Sequence, residues 1–223
     1  MKKAASFRER AEQICAAVNK LCRNEEGFYT ESPENDQVSQ ITNIMAILAG
    51  ASEGEGAKQL MKKLLEPKDW FGQVDLFLHL YLFEALNKTG LQEYFMSELS
   101  EWKLMMNRGM TTFAEVPLEW GEENQRSECH PWSSAPNTFF FRTICGIQPL
   151  SAGHKTVNIQ PSLGSLTYLK AVYPHNLGNL ELELKKYKSG IEAEINVPAE
   201  MKAWFLWDNQ KIELKPGKQF LKL

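Results

Sequence analysis

The first two thirds of the chain carries apolar residues at the three- and four-residue steps of amphipathic helices. Residues 4–23 predict a first helix whose inward positions would be Phe7, Ala11, Ile14, Val18 and Leu21. Further helices are predicted over 37–48, 53–65, 73–87, 91–107 and 135–145, with breaks rich in Gly, Pro and Asn between them. Helices of this length joined by short loops are typical of antiparallel helical hairpins.

The pattern changes from residue 152 onward, where apolar and polar positions alternate as they do in half-buried strands. The alternating apolar positions are Val157, Ile159, Leu180, Leu182, Leu184, Ile191, Ala193, Ile195 and Val197. Turn residues separate these runs at regular intervals. The sequence therefore predicts two domains: helical hairpins over residues 1–150 and an antiparallel β-sandwich over residues 151–223.

Charge follows the same division. The 223 residues carry a net charge of −3. Residues 1–150 hold 15 Lys and Arg against 21 Asp and Glu, a balance of −6, and residues 151–223 hold 10 against 7, a balance of +3. This gives no case for a nucleic-acid or membrane partner. Lys185, Lys186 and Lys188 form a basic run that we interpret as a solvated turn and strand edge.

Cysteine usage excludes several classes of site. Cys15 and Cys22 are seven residues apart on the first predicted helix, about 10 Å, which is too far for a disulfide. The chain has no Cys-x-x-Cys pair, so neither a metal site nor a cofactor is predicted. Polar residues occupy the place where a signal peptide has its apolar core, so no export signal is predicted either.

The candidate chemistry lies between the last two predicted helices, in residues 111–149. This segment contains two acids and three rings, at Glu115, Glu119, Trp120, His130 and Trp132. A carboxylate can accept a proton or orient water, and an indole offers a flat face to the C–H side of a sugar ring. The alternative interpretation is an acidic surface loop whose tryptophans fill the core.

Three motifs in this segment resemble the end of the catalytic barrel in the α-L-rhamnosidase family of glycoside hydrolases. They are TTFAE at 111–115, RSECHPWSSAPN at 126–137 and FFFRTICGIQP at 139–149. The run AGHKTVNIQPSLGSL at 152–166 is similar to the first strand of that family's terminal β-domain. The resemblance implies an α+β multidomain fold, with about six helices forming part of an (α/α)6 six-hairpin toroid before the small antiparallel β-sandwich.

The resemblance also implies roles for individual residues. Glu115 would be the base that activates water in an inverting cleavage of terminal α-L-rhamnosides. His130, Trp132, Trp120 and Glu119 would bind the oligosaccharide or polysaccharide substrate. The family's general acid comes from an earlier acidic segment that has no match in residues 1–110, so we expect this chain alone to hydrolyse little. Enzymes of this family are often secreted or periplasmic.

Half a toroid would leave inner-ring apolar faces without partners. We therefore expect the chain to associate with the missing N-terminal half of the barrel or with itself, through residues that include Phe71, Leu76, Leu80 and Phe83. Two readings without catalysis stay open. The chain could be a carbohydrate-binding protein in which Glu115 only forms hydrogen bonds, or a helical scaffold with a β-cap.

Overall fold

The computed structural model describes residues 2–66, 72–124 and 126–223, apart from the side chains of Lys2 and Glu122. The chain divides into two compact units, Met1–Ala135 and Pro136–Leu223. Helices dominate the first unit and strands dominate the second. The described residues form six α-helices, so the predicted α+β class and helix number are confirmed.

The first unit is built on three helices that bury their apolar faces against one another. These helices are α2 (Gln40–Ala49), α3 (Gly54–Leu65) and α4 (His79–Thr89), and they follow α1 (Lys2–Leu21) and the strand pair β1 (Thr30–Ser32) and β2 (Asn35–Val38). The unit continues through α5 (Ser100–Asn107). The buried side chains at the centre are Ile44, Ile47, Leu60, Met61, Leu64, Leu82, Phe83 and Leu86.

The β1–β2 hairpin lies where the sequence predicted only a polar break and the start of a helix. Asn43 of α2 holds the hairpin: its Oδ1 accepts the Tyr29 N–H at 2.7 Å and its Nδ2 donates to the Tyr29 carbonyl at 2.9 Å. Helix α2 therefore begins at Gln40 instead of residue 37, with Ser39 as its N-cap. The Ser39 Oγ accepts the N–H of Thr42 at 3.2 Å, as expected of a serine in this position.

The apolar segment 73–87 is helical only from His79, because side chains take up the backbone of its first residues. Gln40 Oε1 accepts the N–H of Val74 at 3.0 Å, and Asp75 Oδ1 accepts that of Leu78 at 2.9 Å. The prediction that Leu76 and Phe83 are exposed is wrong: both are buried within this unit, and Leu80 is partly buried. Phe71 lies outside the described residues.

For helix α1 the prediction is wrong in the opposite direction, because residues predicted to be buried are exposed. Its predicted inward stripe is largely exposed, with Phe7 at 74% and with Ala11, Ile14 and Leu21 also open to solvent. The helix is attached along another face, where Asn19 Nδ2 donates to the Ala51 carbonyl at 2.9 Å and Asn19 Oδ1 accepts the Tyr29 hydroxyl at 2.6 Å. Within the described part of this unit, α1 thus presents apolar side chains to solvent.

The second unit opens with the end of α6 (Ala135–Phe139), which widens into a π-helical turn at Phe140–Ile144. Eight strands follow: β3 (Ile147–Pro149), β4 (Thr156–Ile159), β5 (Tyr168–Tyr173), β6 (Leu180–Tyr187), β7 (Gly190–Val197), β8 (Lys202–Trp207), β9 (Gln210–Leu214) and β10 (Gly217–Lys222). They form two four-stranded sheets, ordered β10-β7-β6-β5 and β3-β4-β8-β9. The first strand begins at Ile147, a few residues before the predicted change of pattern.

One strand pair departs from the predicted antiparallel arrangement. β4 and β8 run parallel, with Val157 opposite Ala203 and Ile159 opposite Phe205. The strands between them in sequence, β5 to β7, belong to the other sheet, and the chain then returns beside β4 in the same direction. The alternating residues predicted in β4, β6 and β7 are buried, and β8 is buried in the same pattern, whereas the edge strands β5 and β10 have no buried position.

Gly146 marks the exit from the π-helical turn into β3, and its conformation excludes any side chain. Its φ is +69°, and a Cβ at this position would lie 1.9 Å from the carbonyl oxygen of Gln160. The Gly146 carbonyl also accepts the N–H of Gln160 at 2.9 Å, so the close approach is part of the pairing between the two segments. The glycine of the motif FFFRTICGIQP at 139–149 is therefore required for steric reasons.

We expect Gly146→Ala to destabilise the protein much more than Gly164→Ala. Gly164 also has a positive φ, +53°, but a Cβ there would meet nothing within 4 Å. The control should cost about 1–2 kcal/mol from backbone strain alone. Gly146→Ala should exceed it by about 2 kcal/mol or more, because a backbone carbonyl must move. Urea unfolding of both variants measures the difference, and equal losses would contradict the steric explanation.

Candidate functional site

Two backbone hydrogen bonds fold the loop after α5 so that its distant halves lie side by side. The Glu115 N–H donates to the Ser127 carbonyl at 2.8 Å, and the His130 N–H donates to the Phe113 carbonyl at 2.8 Å. The Thr112 hydroxyl also donates to the Glu128 carbonyl. Residues 112–115 are therefore held against residues 127–130, and the side chains of Glu115 and His130 meet.

Glu115 is enclosed and faces two basic groups. One carboxylate oxygen, Oε2, lies 3.6 Å from His130 Nδ1, and the other, Oε1, lies 3.9 Å from Arg126 Nη1. The side chains of Glu115 and His130 are each 20% exposed, whereas Arg126 is largely open to solvent. At these distances the contacts are electrostatic and leave the carboxylate oxygens free to hydrogen bond to a water.

Trp132 continues the site beyond His130. The imidazole and indole centroids are 4.1 Å apart with the rings inclined at 46°, and the indole also packs on Phe77 at 5.1 Å. Trp132 nevertheless keeps 52% of its surface exposed. An indole that is held by two rings yet open to solvent is suited to stack on a sugar.

A buried indole fixes the turn that carries these rings. Trp102 of α5 donates from Nε1 to the Ser133 carbonyl at 2.8 Å. His79 packs edge-on against Trp102 at 5.1 Å, and its Nδ1 donates to the Asp75 carbonyl at 2.6 Å. Burial lowers the pKa of His79, which favours the neutral form of this hydrogen-bonded histidine beside Trp102.

Glu101 anchors the other end of the loop. Its side chain is buried, and its Oε2 accepts the N–H of Leu118 at 2.8 Å. Burial is the main cause that raises the pKa of Glu101, and the neighbouring Glu119 raises it further, while the Leu118 N–H opposes the shift. A raised pKa indicates that the folded protein favours the protonated carboxyl here.

The structure thus brings Glu115, His130 and Trp132 together, and it places the other two predicted site residues elsewhere on the loop. Glu119 is exposed and lies beside Glu101. Trp120 is partly exposed, and its carbonyl accepts the side-chain amide of Asn124 at 2.6 Å. Their proposed roles in binding substrate stay predictions.

Sequence reasoning missed three neighbours of the site. Arg126 begins the motif at residues 126–137, but the sequence does not indicate which acid it faces. Phe77 belongs to an apolar segment in which any residue could have been core. Glu101 precedes the buried Trp102 on an amphipathic helix, and a glutamate there would ordinarily face solvent.

In the part of the chain that the structure describes, no group of three His, Cys, Asp or Glu side chains could hold a metal ion. The same residues include no helix both long and apolar enough to cross a bilayer.

Comparison with known proteins agrees with the motifs. Residues 146–219 match the family model described as the bacterial α-L-rhamnosidase C-terminal domain. No curated protein matches the sequence. The resemblance to the C-terminal part of the α-L-rhamnosidase family, first drawn from short motifs, is confirmed.

Several solved structures share the fold over nearly the whole chain. A GH78 family rhamnosidase of Bacillus sp. GL1 is 24% identical, with a TM-score of 0.85, and the match covers 98% of this chain and 25% of that one. The α-L-rhamnosidase of Aspergillus terreus is 17% identical, with a TM-score of 0.80, covering 99% and 27%. The Streptomyces avermitilis α-L-rhamnosidase complexed with L-rhamnose is 17% identical, with a TM-score of 0.78, covering 96% and 24%. This chain therefore spans about a quarter of the length of the structures that it matches.

Replacing Glu101 by Gln should change how stability depends on pH. Because the pKa of Glu101 is raised on folding, its contribution is greatest below the unfolded-state pKa and is lost as pH rises toward the folded-state pKa. Glutamine keeps an oxygen for the Leu118 N–H and cannot ionise. The variant should therefore gain stability relative to wild type as pH rises above the ordinary glutamate pKa of 4.5, by at most about 1.4 kcal/mol per pH unit.

Urea unfolding of both proteins across this range measures the difference. Burial also raises the pKa of Glu98, but Glu98 is present in both proteins and cancels. Parallel stability curves would contradict the protonation of Glu101 in the folded state.

Proposed function

We propose that this chain is the C-terminal part of an α-L-rhamnosidase-like glycoside hydrolase and that Glu115 is its general base. The observation that carries the proposal is the contact between Glu115 and His130 beside the exposed indole of Trp132. Motifs that are 15 residues apart in the sequence converge on one carboxylate, as a catalytic constellation requires. The family-model match and the shared fold support the same assignment.

The proposed chemistry is an inverting hydrolysis. Glu115 accepts a proton from a water, whose oxygen forms a bond to the anomeric carbon while the bond from that carbon to the leaving oxygen breaks. A second carboxylic acid, about 6.5–9.5 Å away, gives its proton to the leaving oxygen. Arg126 and His130 face the Glu115 carboxylate at 3.9 and 3.6 Å. Trp132 supplies a stacking face, and His130 can donate to a sugar hydroxyl.

The second carboxylic acid is the part for which residues 1–110 offer no matching motif. Loss of a general acid commonly costs about 10²–10⁴ in rate. We therefore propose that this chain needs the polypeptide corresponding to the other three quarters of its structural neighbours for efficient turnover. A second candidate function is non-catalytic binding of carbohydrate, favoured by the exposed Trp132 indole.

We propose that such a partner attaches to the exposed stripe of α1. Besides the stripe, a groove of about 360 Å³ lies between α1 and α2, lined by side chains that include Ile14, Val18, Ile41 and Met45. Apolar surface of this kind favours association. We propose that the missing N-terminal part of the helical barrel covers it, and that a second copy of the chain does so when this part is absent.

Glu115→Gln should strongly reduce rhamnoside hydrolysis in the completed protein. We expect little release of aryl alcohol from an aryl α-L-rhamnoside by the chain alone and robust release once the upstream polypeptide is supplied. In that complex, Glu115→Gln should lower kcat by about 10²–10⁴, because the water loses its base. Glu128→Gln, an exposed acid of the same loop, serves as the matched control and should retain activity.

Other outcomes select between the alternatives. Full activity of Glu115→Gln would overturn the base assignment. Calorimetric binding of L-rhamnose that is lost in Trp132→Ala, without hydrolysis in any combination, would favour the binding protein. Absence of both binding and hydrolysis would favour the helical scaffold.

The chain alone should self-associate through α1. Light scattering should show a mass above the 25.5 kDa monomer at high concentration. The triple variant Phe7→Ser, Ile14→Ser, Leu21→Ser should return the mass to that of the monomer, because it removes the exposed stripe. The control is Phe220→Ser, which removes an exposed ring from β10 and should leave the association intact. A monomeric wild-type chain would contradict the proposal.

A further inference from the structure

A cavity of about 680 Å³ lies in the second unit between two strand turns. One wall is residues 186–190, where β6 turns into β7, and the other is residues 206–211, where β8 turns into β9. Gln160 and Pro161, directly after β4, line the space as well. Its volume falls within the range of about 300–1,000 Å³ that is usual for small-molecule sites. We call it the turn cavity.

Each turn contributes one aromatic residue to the lining of the turn cavity, at equivalent positions. Tyr187 and Trp207 are the last strand residues before the two turns. Tyr187 is half exposed, and its hydroxyl donates to Glu192 Oε2 at 3.0 Å, which restrains the ring. Asp208 and Asn209 adopt left-handed conformations, with φ of 44° and 61°, as in a tight two-residue hairpin turn. Both rings are therefore mounted on short, well-defined turns.

The charge of the turn cavity is positive. Lys186, Lys188 and Lys211 line it against the single acid Asp208. Lys186 Nζ donates to the Gly164 carbonyl at 2.6 Å, which fixes its position and leaves two N–H groups, and Lys211 Nζ lies 5.0 Å from the Trp204 ring centroid. Three lysines against one aspartate give the lining a formal charge of +2, which favours an anionic ligand.

Three other lysines of this unit form ion pairs across neighbouring strands. Lys170, Lys218 and Lys222 each pair with a glutamate of a neighbouring strand, at 3.3, 2.7 and 2.9 Å. Among the described residues, none of the three cavity lysines lies within ion-pair distance of a carboxylate. Among the described residues, Lys155, Lys185, Lys202 and Lys215 also form no ion pair, so it is their position around a concave space that sets the three cavity lysines apart. Solvated turn lysines are common, but here they surround a concave space that also holds two rings.

We propose that the turn cavity binds an acidic saccharide. Tyr187 and Trp207 stack on the C–H faces of its sugar rings, and the lysine cluster pairs with its carboxylates through charge-assisted hydrogen bonds. The side-chain amides of Asn209 and Gln210 line the same space and suit sugar hydroxyls. A neutral saccharide would leave the cations unpaired, and an inorganic anion would leave the rings unused. The site lies entirely within the second unit and does not depend on the role of Glu115.

Calorimetry on the whole chain tests the ligand class, with trigalacturonate, its methyl ester and inorganic phosphate as the probes. Trigalacturonate should bind with an affinity that falls as salt rises. The uncharged ester should bind at least about tenfold more weakly, because it lacks the anionic oxygens. Phosphate at the same concentration should not displace trigalacturonate. Equal binding of acid and ester, or displacement by phosphate alone, would overturn the proposal.

Variants locate the binding. The double variant Lys188→Gln, Lys211→Gln should weaken trigalacturonate binding at least about tenfold. Tyr187→Ala should also weaken it and supplies a second ring variant should Trp207→Ala fail to fold. Lys218→Gln, outside the turn cavity, is the matched control and should bind as the wild type does. Unchanged affinity in the double variant would overturn the proposal, and hydrolysis of rhamnosides has no bearing on either result.

Discussion

The candidate site depends on the pairing of two loop segments by backbone hydrogen bonds. Glu115 donates to Ser127 and His130 donates to Phe113, so the two segments run beside each other like a short piece of antiparallel ladder. Two main-chain hydrogen bonds and the Thr112 hydroxyl fix the backbone, and this pairing does not use the side chains of Glu115 and His130. The carboxylate of Glu115 and the imidazole of His130 therefore face each other, since the loop is held by the backbone groups of these two residues.

The loop is anchored to helix α5 at both ends by buried polar groups. Glu101 accepts the Leu118 N–H, and one residue later Trp102 donates to the Ser133 carbonyl. A buried hydrogen bond adds modest net stability, but leaving its partner unsatisfied costs about 1–3 kcal/mol. Adjacent residues of a single helix therefore fix two loop positions that are 15 residues apart. This arrangement transmits the rigidity of the helical core to a segment that has little regular structure of its own.

Periodicity predicted those elements whose apolar face is buried within the same unit. The alternation at Val157 and Ile159 and the buried positions of α2 to α4 follow directly from spacing. The β1–β2 hairpin was not predictable in this way, because it is polar and is held by Asn43, a residue distant in sequence. The parallel pairing of β4 with β8 was missed for a related reason: strand direction is set by the path of the chain between them. For the site, motif resemblance supplied Glu115, His130 and Trp132, whereas Glu101 became visible only through its contact with Leu118.

The misassigned apolar residues show what spacing does and does not encode. A stripe such as Phe7 and Ile14 on α1 specifies that a helix has a face to bury, but it does not specify the polypeptide that will bury it. Leu76 and Phe83, expected to lack partners, are buried by their own unit, whereas the α1 stripe is open. The chain corresponds to about a quarter of its structural neighbours, so a helix whose periodicity is satisfied in a longer protein can be unsatisfied here. The exposed stripe is therefore more informative about a partner than the most apolar helix of the chain.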